Sequence, residues 1–78
     1  MKRVKVLGSG CAKCGQLMDA VKAVIAAEGL DASVEKVEDM QQIMAYQVLS
    51  TPALVVDEVV LSRGRVLSRD ELKDLLTR

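Results

Sequence analysis

The first half of the chain changes its hydrophobic period twice, and this restricts the possible folds more than any other feature. The run RVKVL, Arg3–Leu7, is short, β-branched and closed by Gly8-Ser9-Gly10, as a strand and its stop should be. From about Ala12 to Glu28 the spacing becomes helical. Leu17, Val21, Val24 and Ile25 fall on one side, Glu28 continues the spacing, and Gly29 is a natural stop. ASVEKV, Ala32–Val37, then alternates apolar and polar residues, the period of a second strand. A strand, a helix and a strand in this order make two parallel strands joined by a right-handed crossover.

The second half completes the pattern. Asp39 and Gln42 have capping-box spacing, opening a short helix with Met40, Ile43 and Met44 on an apolar side. LSTP breaks it, and ALVV, Ala53–Val56, reads as a third strand. Asp57-Glu58 is a hairpin turn leading into VVL, Val59–Leu61, with Gly64 interrupting afterwards. SRDE, Ser68–Glu71, is a second capping box, before Leu72, Leu75 and Leu76 on one side of a last helix. The order is β-α-β-α-β-β-α. A four-stranded mixed sheet with helices on both faces, a three-layer α/β/α sandwich, buries these apolar faces economically.

With 78 residues the chain suits one domain, residues 1–78, without repeats or an interdomain linker. The core must be aliphatic, because there is no Phe or Trp and Tyr46 is the one aromatic residue. The 11 basic and 11 acidic residues cancel, which argues against a nucleic-acid partner, where a basic excess is the rule. Lys2 and Arg3 precede too few apolar residues for a secretory signal, and no apolar run has membrane-spanning length. The expected location is the cytoplasm, where a close cysteine pair is more often catalytic or metal-binding than structural.

Cys11 and Cys14, in GSGCAKCG, fall where the first strand hands over to the first helix. Chemistry in open α/β sheets collects at this edge. A cysteine at the helix N-cap faces unpaired N–H groups and the positive end of the dipole, which favour thiolate over thiol. Lys13 adds a positive charge unless it points into solvent. Cys14, one turn on, can reach Cys11 and should be the more buried, as suits a resolving thiol. Structural zinc normally takes four ligands, so this chain, with two cysteines and no histidine, would need carboxylates or a second chain. Two thiolates on such a turn can instead hold copper(I), which makes a soft-metal carrier the main rival to redox chemistry. Met18 and Met40 read as core-filling residues rather than soft ligands.

STPALVV, Ser50–Val56, bears on that choice. If the first and third strands are antiparallel neighbours, Thr51-Pro52 lies beside Cys11. A proline opening a strand need not donate to the ladder. Its peptide bond can be trans, as most are, or cis; a cysteine pair close by favours cis. Thr51 would then offer its backbone N–H and C=O to an extended substrate segment.

With these motifs in place, the chain resembles the thioredoxin fold, and in particular the small archaeal and bacterial redox-active disulfide proteins. VLGSGCAKC at Val6–Cys14 and VLSTPALVVD at Val48–Asp57 carry the resemblance, SRGR at Ser62–Arg65 adds weaker support, and the element order extends it over essentially the whole chain. The resemblance implies a nucleophilic Cys11, a resolving Cys14 and a cis Pro52. The chain departs from ordinary thioredoxins in having Gly10 before the pair and Ala12-Lys13 within it. It also lacks the acid that thioredoxins commonly bury in the preceding strand; Lys5 stands about there. No equivalent of the glutaredoxin glutathione site is evident.

The expected function is therefore thiol–disulfide oxidoreduction, without a bound cofactor or metal. Its partners would be a disulfide-containing protein substrate and a reductase that the sequence does not identify. Ser9 and Gly10 leave room for substrate, although Ser9 is more simply an ordinary loop residue. The alternative is a metallochaperone-like module using the same thiolates. Heavy-metal-associated domains also have an early C-x-x-C, but they end with a strand after a β-α-β-β-α-β order, whereas this chain ends with the amphipathic SRDELKDLL and has a proline beside the expected cysteine site. A slow docking or regulatory module on the same fold is a third possibility.

Overall fold

A computed structural model describes residues 2–8 and 12–77. The elements are β1 (Lys2–Leu7), α1 (Ala12–Glu28), β2 (Ala32–Val37), α2 (Met40–Ala45), β3 (Ala53–Val56), β4 (Val59–Arg63) and α3 (Arg69–Leu76). The sheet order is β2-β1-β3-β4, with β1 parallel to β2 and antiparallel to β3, and β3 antiparallel to β4. The parallel pair and the hairpin agree with the sequence reading.

Alternation along the two central strands divides the core. Val4, Val6, Leu54 and Val56 face α1 and α3, where they pack with Leu17, Val21, Val24, Leu72 and Leu76. Leu7, Ala53 and Val55 face the other way, where Val37, Ile43 and Val48 cover them. All four residues of β3 are buried, which explains why ALVV is uniformly apolar rather than alternating. Burying each large aliphatic side chain contributes roughly 1.5–3 kcal/mol before entropy is counted. The larger cluster is therefore the main source of cohesion.

The connections follow their residue chemistry. Asp57 and Glu58 have φ of 49° and 68°, the positive values that a tight two-residue hairpin turn demands. Asp57 Oδ1 also accepts from the Arg3 N–H at 2.9 Å, tying the turn to β1. Ser68 and Glu71 form the expected reciprocal capping box at α3.

Three expectations need correction. The fourth strand runs to Arg63, past Leu61, with a register shift at Leu54/Val55. Asp39 caps α2 by accepting from Gln41, the second helical residue, rather than through a box with Gln42. Met40 is not a core filler: it is 67% exposed, because the six-residue α2 turns only Ile43 fully inward. Met18, by contrast, packs against the larger cluster. None of the described helices is long and apolar enough to cross a membrane.

Candidate functional site

The sheet edge at the end of β1 brings together parts of both sequence motifs. Leu7 is opposite Ala53 in the antiparallel β1–β3 pair, so Gly8 and Pro52 continue from neighbouring positions. Gly8 donates its N–H to the Val37 carbonyl at 2.9 Å, which holds it against the end of β2. Its φ is +149°, a value that disfavours any side chain. A Cβ built there would collide with Cys14 Sγ and would lie 3.4 Å from Thr51 Cβ. Gly8 is thus a seat on which Cys14, from the start of α1, and Thr51, from the loop before β3, both rest.

Cys14 is completely buried and disulfide-bonded. Cys11 lies outside the described residues, as do Ser9 and Gly10. Lys13 is exposed, the solvent-facing alternative considered above. No acidic side chain occupies the first turn of α1 to offset the positive end of its dipole.

The Thr51-Pro52 peptide bond is cis. Pro52 is buried and Thr51 is exposed, and among the described residues no backbone hydrogen bond occupies the Thr51 N–H or C=O. The Pro52 carbonyl accepts from Gly64 N–H at 2.8 Å, so the segment after β4 props the loop from behind. Gly64 has φ +73°, and a Cβ there would come within 3.1 Å of Ser50 Cβ. Glycine is needed both for that turn and for the close approach. Leu49, at the outer end of the loop, is 87% exposed.

Lys5, on β1, has a side chain that is 23% exposed. Its ammonium donates to Tyr46 Oη and to Glu58 Oε1, each at 2.9 Å. Tyr46 Oη in turn donates to Glu58 Oε2 at 2.9 Å, closing a triangle. The hydrogen bonds from Glu58 and Tyr46 raise the lysine pKa well above its ordinary value. Those from Lys5 and Tyr46 hold the Glu58 carboxyl below the usual carboxylate range. Lys5 therefore remains an ammonium ion at neutral pH and cannot take a proton from a thiol. Among the described residues no cluster of three or more His, Cys, Asp or Glu could hold a metal ion.

Sequence reasoning singled out Cys14, Thr51 and Pro52 but gave Gly8 only the role of ending a strand. The glycine-flanked strand end was the available signal. Tyr46 carried a weaker one, as the sole aromatic residue.

A family model described as a thioredoxin domain matches residues 2–77. The chain belongs to the thioredoxin family. It is 34% identical over 77 residues to a protein named thioredoxin from Methanothermobacter thermautotrophicus, covering 99% of this chain and 100% of that protein. A second thioredoxin, from Methanocaldococcus jannaschii, is 34% identical over 73 residues, covering 94% of this chain and 84% of the other. These full-length likenesses identify a thioredoxin-like oxidoreductase. The fold agrees with solved structures. Thioredoxin-2, described as a component of the malaria parasite protein secretion machinery, has a TM-score of 0.77 at 17% identity, covering 99% of this chain and 82% of that one. Another malarial protein has a TM-score of 0.76 at 17% identity, covering 99% and 94%.

Proposed function

We propose that Cys11 and Cys14 form a dithiol/disulfide couple that reduces disulfides in partner proteins. The observation that carries this reading is the packing of Cys14 Sγ and Thr51 on Gly8, which sets a buried sulfur beside the exposed Thr51, whose N–H and C=O take part in no backbone hydrogen bond among the described residues. A partner segment pairing with Thr51 in extended form would bring its disulfide to the cysteine pair. Membership of the thioredoxin family supports this chemistry over carriage of a soft metal by the same thiolates.

The Cys11 thiolate attacks one partner sulfur. A mixed disulfide forms, the partner S–S bond breaks, and the departing partner thiolate takes up a proton. Cys14 then loses its proton and attacks Cys11 Sγ. The mixed disulfide breaks, the second partner thiolate leaves and is protonated, and an intramolecular disulfide remains. Two electrons pass from the Cys11–Cys14 dithiol to the partner. A separate reductase must return them. Because Lys5 stays protonated within its own triangle, the Cys14 proton passes to water or to another group, such as the departing partner thiolate.

Single substitutions separate the two roles. Cys11→Ser should abolish reduction of insulin disulfides, whereas Cys14→Ser should accumulate a mixed disulfide detectable by mass. Full reductase activity in Cys11→Ser would overturn the assignment.

A further inference from the structure

We infer that Lys5, Tyr46 and Glu58 form a clasp that sets the position of the Thr51-Pro52 loop, so that Tyr46 and Glu58 are positioning residues for capture of a protein partner. This inference rests on the reductase reading above. The three residues come from separate parts of the fold: β1, the residue that ends α2, and the β3–β4 turn. Three 2.9 Å hydrogen bonds connect them into a closed ring, and the Lys5 ammonium also stands 5.6 Å from the Tyr46 ring centre.

The clasp lies where the short α2 leaves the sheet incompletely covered. It borders an open cavity of about 360 Å³ that Glu35, Val37, Gln42 and Ala45 also line. Tyr46 leads into the loop, and the Gln47 N–H still donates to the Met44 carbonyl at 2.8 Å. Gln47 turns the chain with φ 59°, and Val48 is buried in the smaller core cluster. Leu49, Ser50 and Thr51 are exposed until Pro52 is reached. Among the described residues, the loop is therefore fixed by Tyr46 before it, Val48 within it, and the Gly64–Pro52 hydrogen bond after it.

The clasp is also open to water, since the Glu58 side chain is 64% exposed. A tie whose carboxylate is this exposed contributes little to global stability, although the Lys5 side chain is only 23% exposed. Loosening one is thus expected to change local order at the loop more than the folded population. The consequence differs between substrates. A folded protein disulfide must dock against the loop, whereas a small disulfide needs only access to the thiolate.

The clasp also has a pH signature. Glu58 is held below the ordinary carboxylate range, so the ring is intact above that range and lost as pH falls through the lowered value. The charges facing it are Lys5 on its own ring, Arg3 from β1 and Glu35 from β2.

The test uses prereduced protein in single-turnover reduction of insulin and of hydroxyethyl disulfide, comparing wild type with Tyr46→Phe and Glu58→Gln. The half-saturating insulin concentration should rise about twofold to fivefold in both variants, the range an exposed ion pair supplies. The limiting rate and the rate with hydroxyethyl disulfide should hold. Amide exchange at Gln47, whose N–H donates to the Met44 carbonyl, and at Gly64, whose N–H donates to the Pro52 carbonyl, should quicken without a matching change in α1. In wild type, insulin half-saturation should worsen towards acid pH, and Glu58→Gln should flatten that profile. Unchanged exchange and insulin kinetics in the variants, beside an active wild type, would overturn the clasp alone. A uniform loss of both activities and of thermal stability would also overturn it, by showing a merely structural role. A wild-type protein that reduces neither disulfide would overturn the reductase reading, and the positioning role of the clasp with it.

Discussion

Gly8 concentrates the demands of the site in one residue. Any side chain there would meet both an unfavourable φ and the Cys14 sulfur. The relief available is small, because Cys14 is fully buried and Val37 holds the Gly8 N–H. Gly8→Ala should therefore destabilise the protein by about 2–4 kcal/mol, combining backbone strain with overpacking. Chemical denaturation would measure this; a loss below about 0.5 kcal/mol, the ordinary surface range, would contradict the seat described here. At this scale the sequence was only partly legible. The spacing of Cys11 and Cys14 and the pairing of Thr with Pro are visible as strings. The fact that a hydrogen in place of a side chain at Gly8 lets both motifs pack against it is visible only when β1 and β3 are laid side by side. Lys5, likewise, read only as a basic residue standing about where an acid would fall; its partners come from 41 and 53 residues away along the chain.

Among the elements, legibility followed the strength of the local signal. α1 was clear because its apolar residues recur over several turns. α3 was clear because Ser68 and Glu71 bracket its first turn, and they close the capping box in both directions. Glu71 has a second commitment, accepting from Arg65 at 2.7 Å through each carboxylate oxygen. The Ser68 backbone hydrogen bond is the leading cause that holds its carboxyl below the usual range. Ser68→Ala should cost about 1 kcal/mol, with Leu72 and Leu76 still packed on the core. A thermal melt would check it; no loss would mean that packing alone defines the start of α3. The reading of α2 failed at Met40 for a physical reason. Helical spacing places Met40, Ile43 and Met44 together, but a six-residue helix over a small cluster has no depth for a wide face. Period reveals which residues share a side, not how much of that side the tertiary structure will cover.

For the molecule as a whole, the order of strands and helices decides where the candidate site lies. A parallel crossover followed by an antiparallel return puts the ends of β1 and the start of β3 at one edge. The helix that begins there carries Cys14, and the loop that arrives there carries the cis proline. That geometry was legible because each step obeyed a general rule of chain connection, with no need for rare residues. The clasp was not legible, because it depends on where a central-strand residue, the end of a short helix and a hairpin turn converge after folding.

The most direct test of the central claim is the redox midpoint of the cysteine pair, measured by equilibration in graded dithiol buffers, alkylation and mass. The account predicts a reversible two-electron transition between dithiol and intramolecular disulfide at a reducing potential, near about −270 mV as for thioredoxins in general. Failure of Cys11 and Cys14 to form a reversible intramolecular disulfide would contradict it.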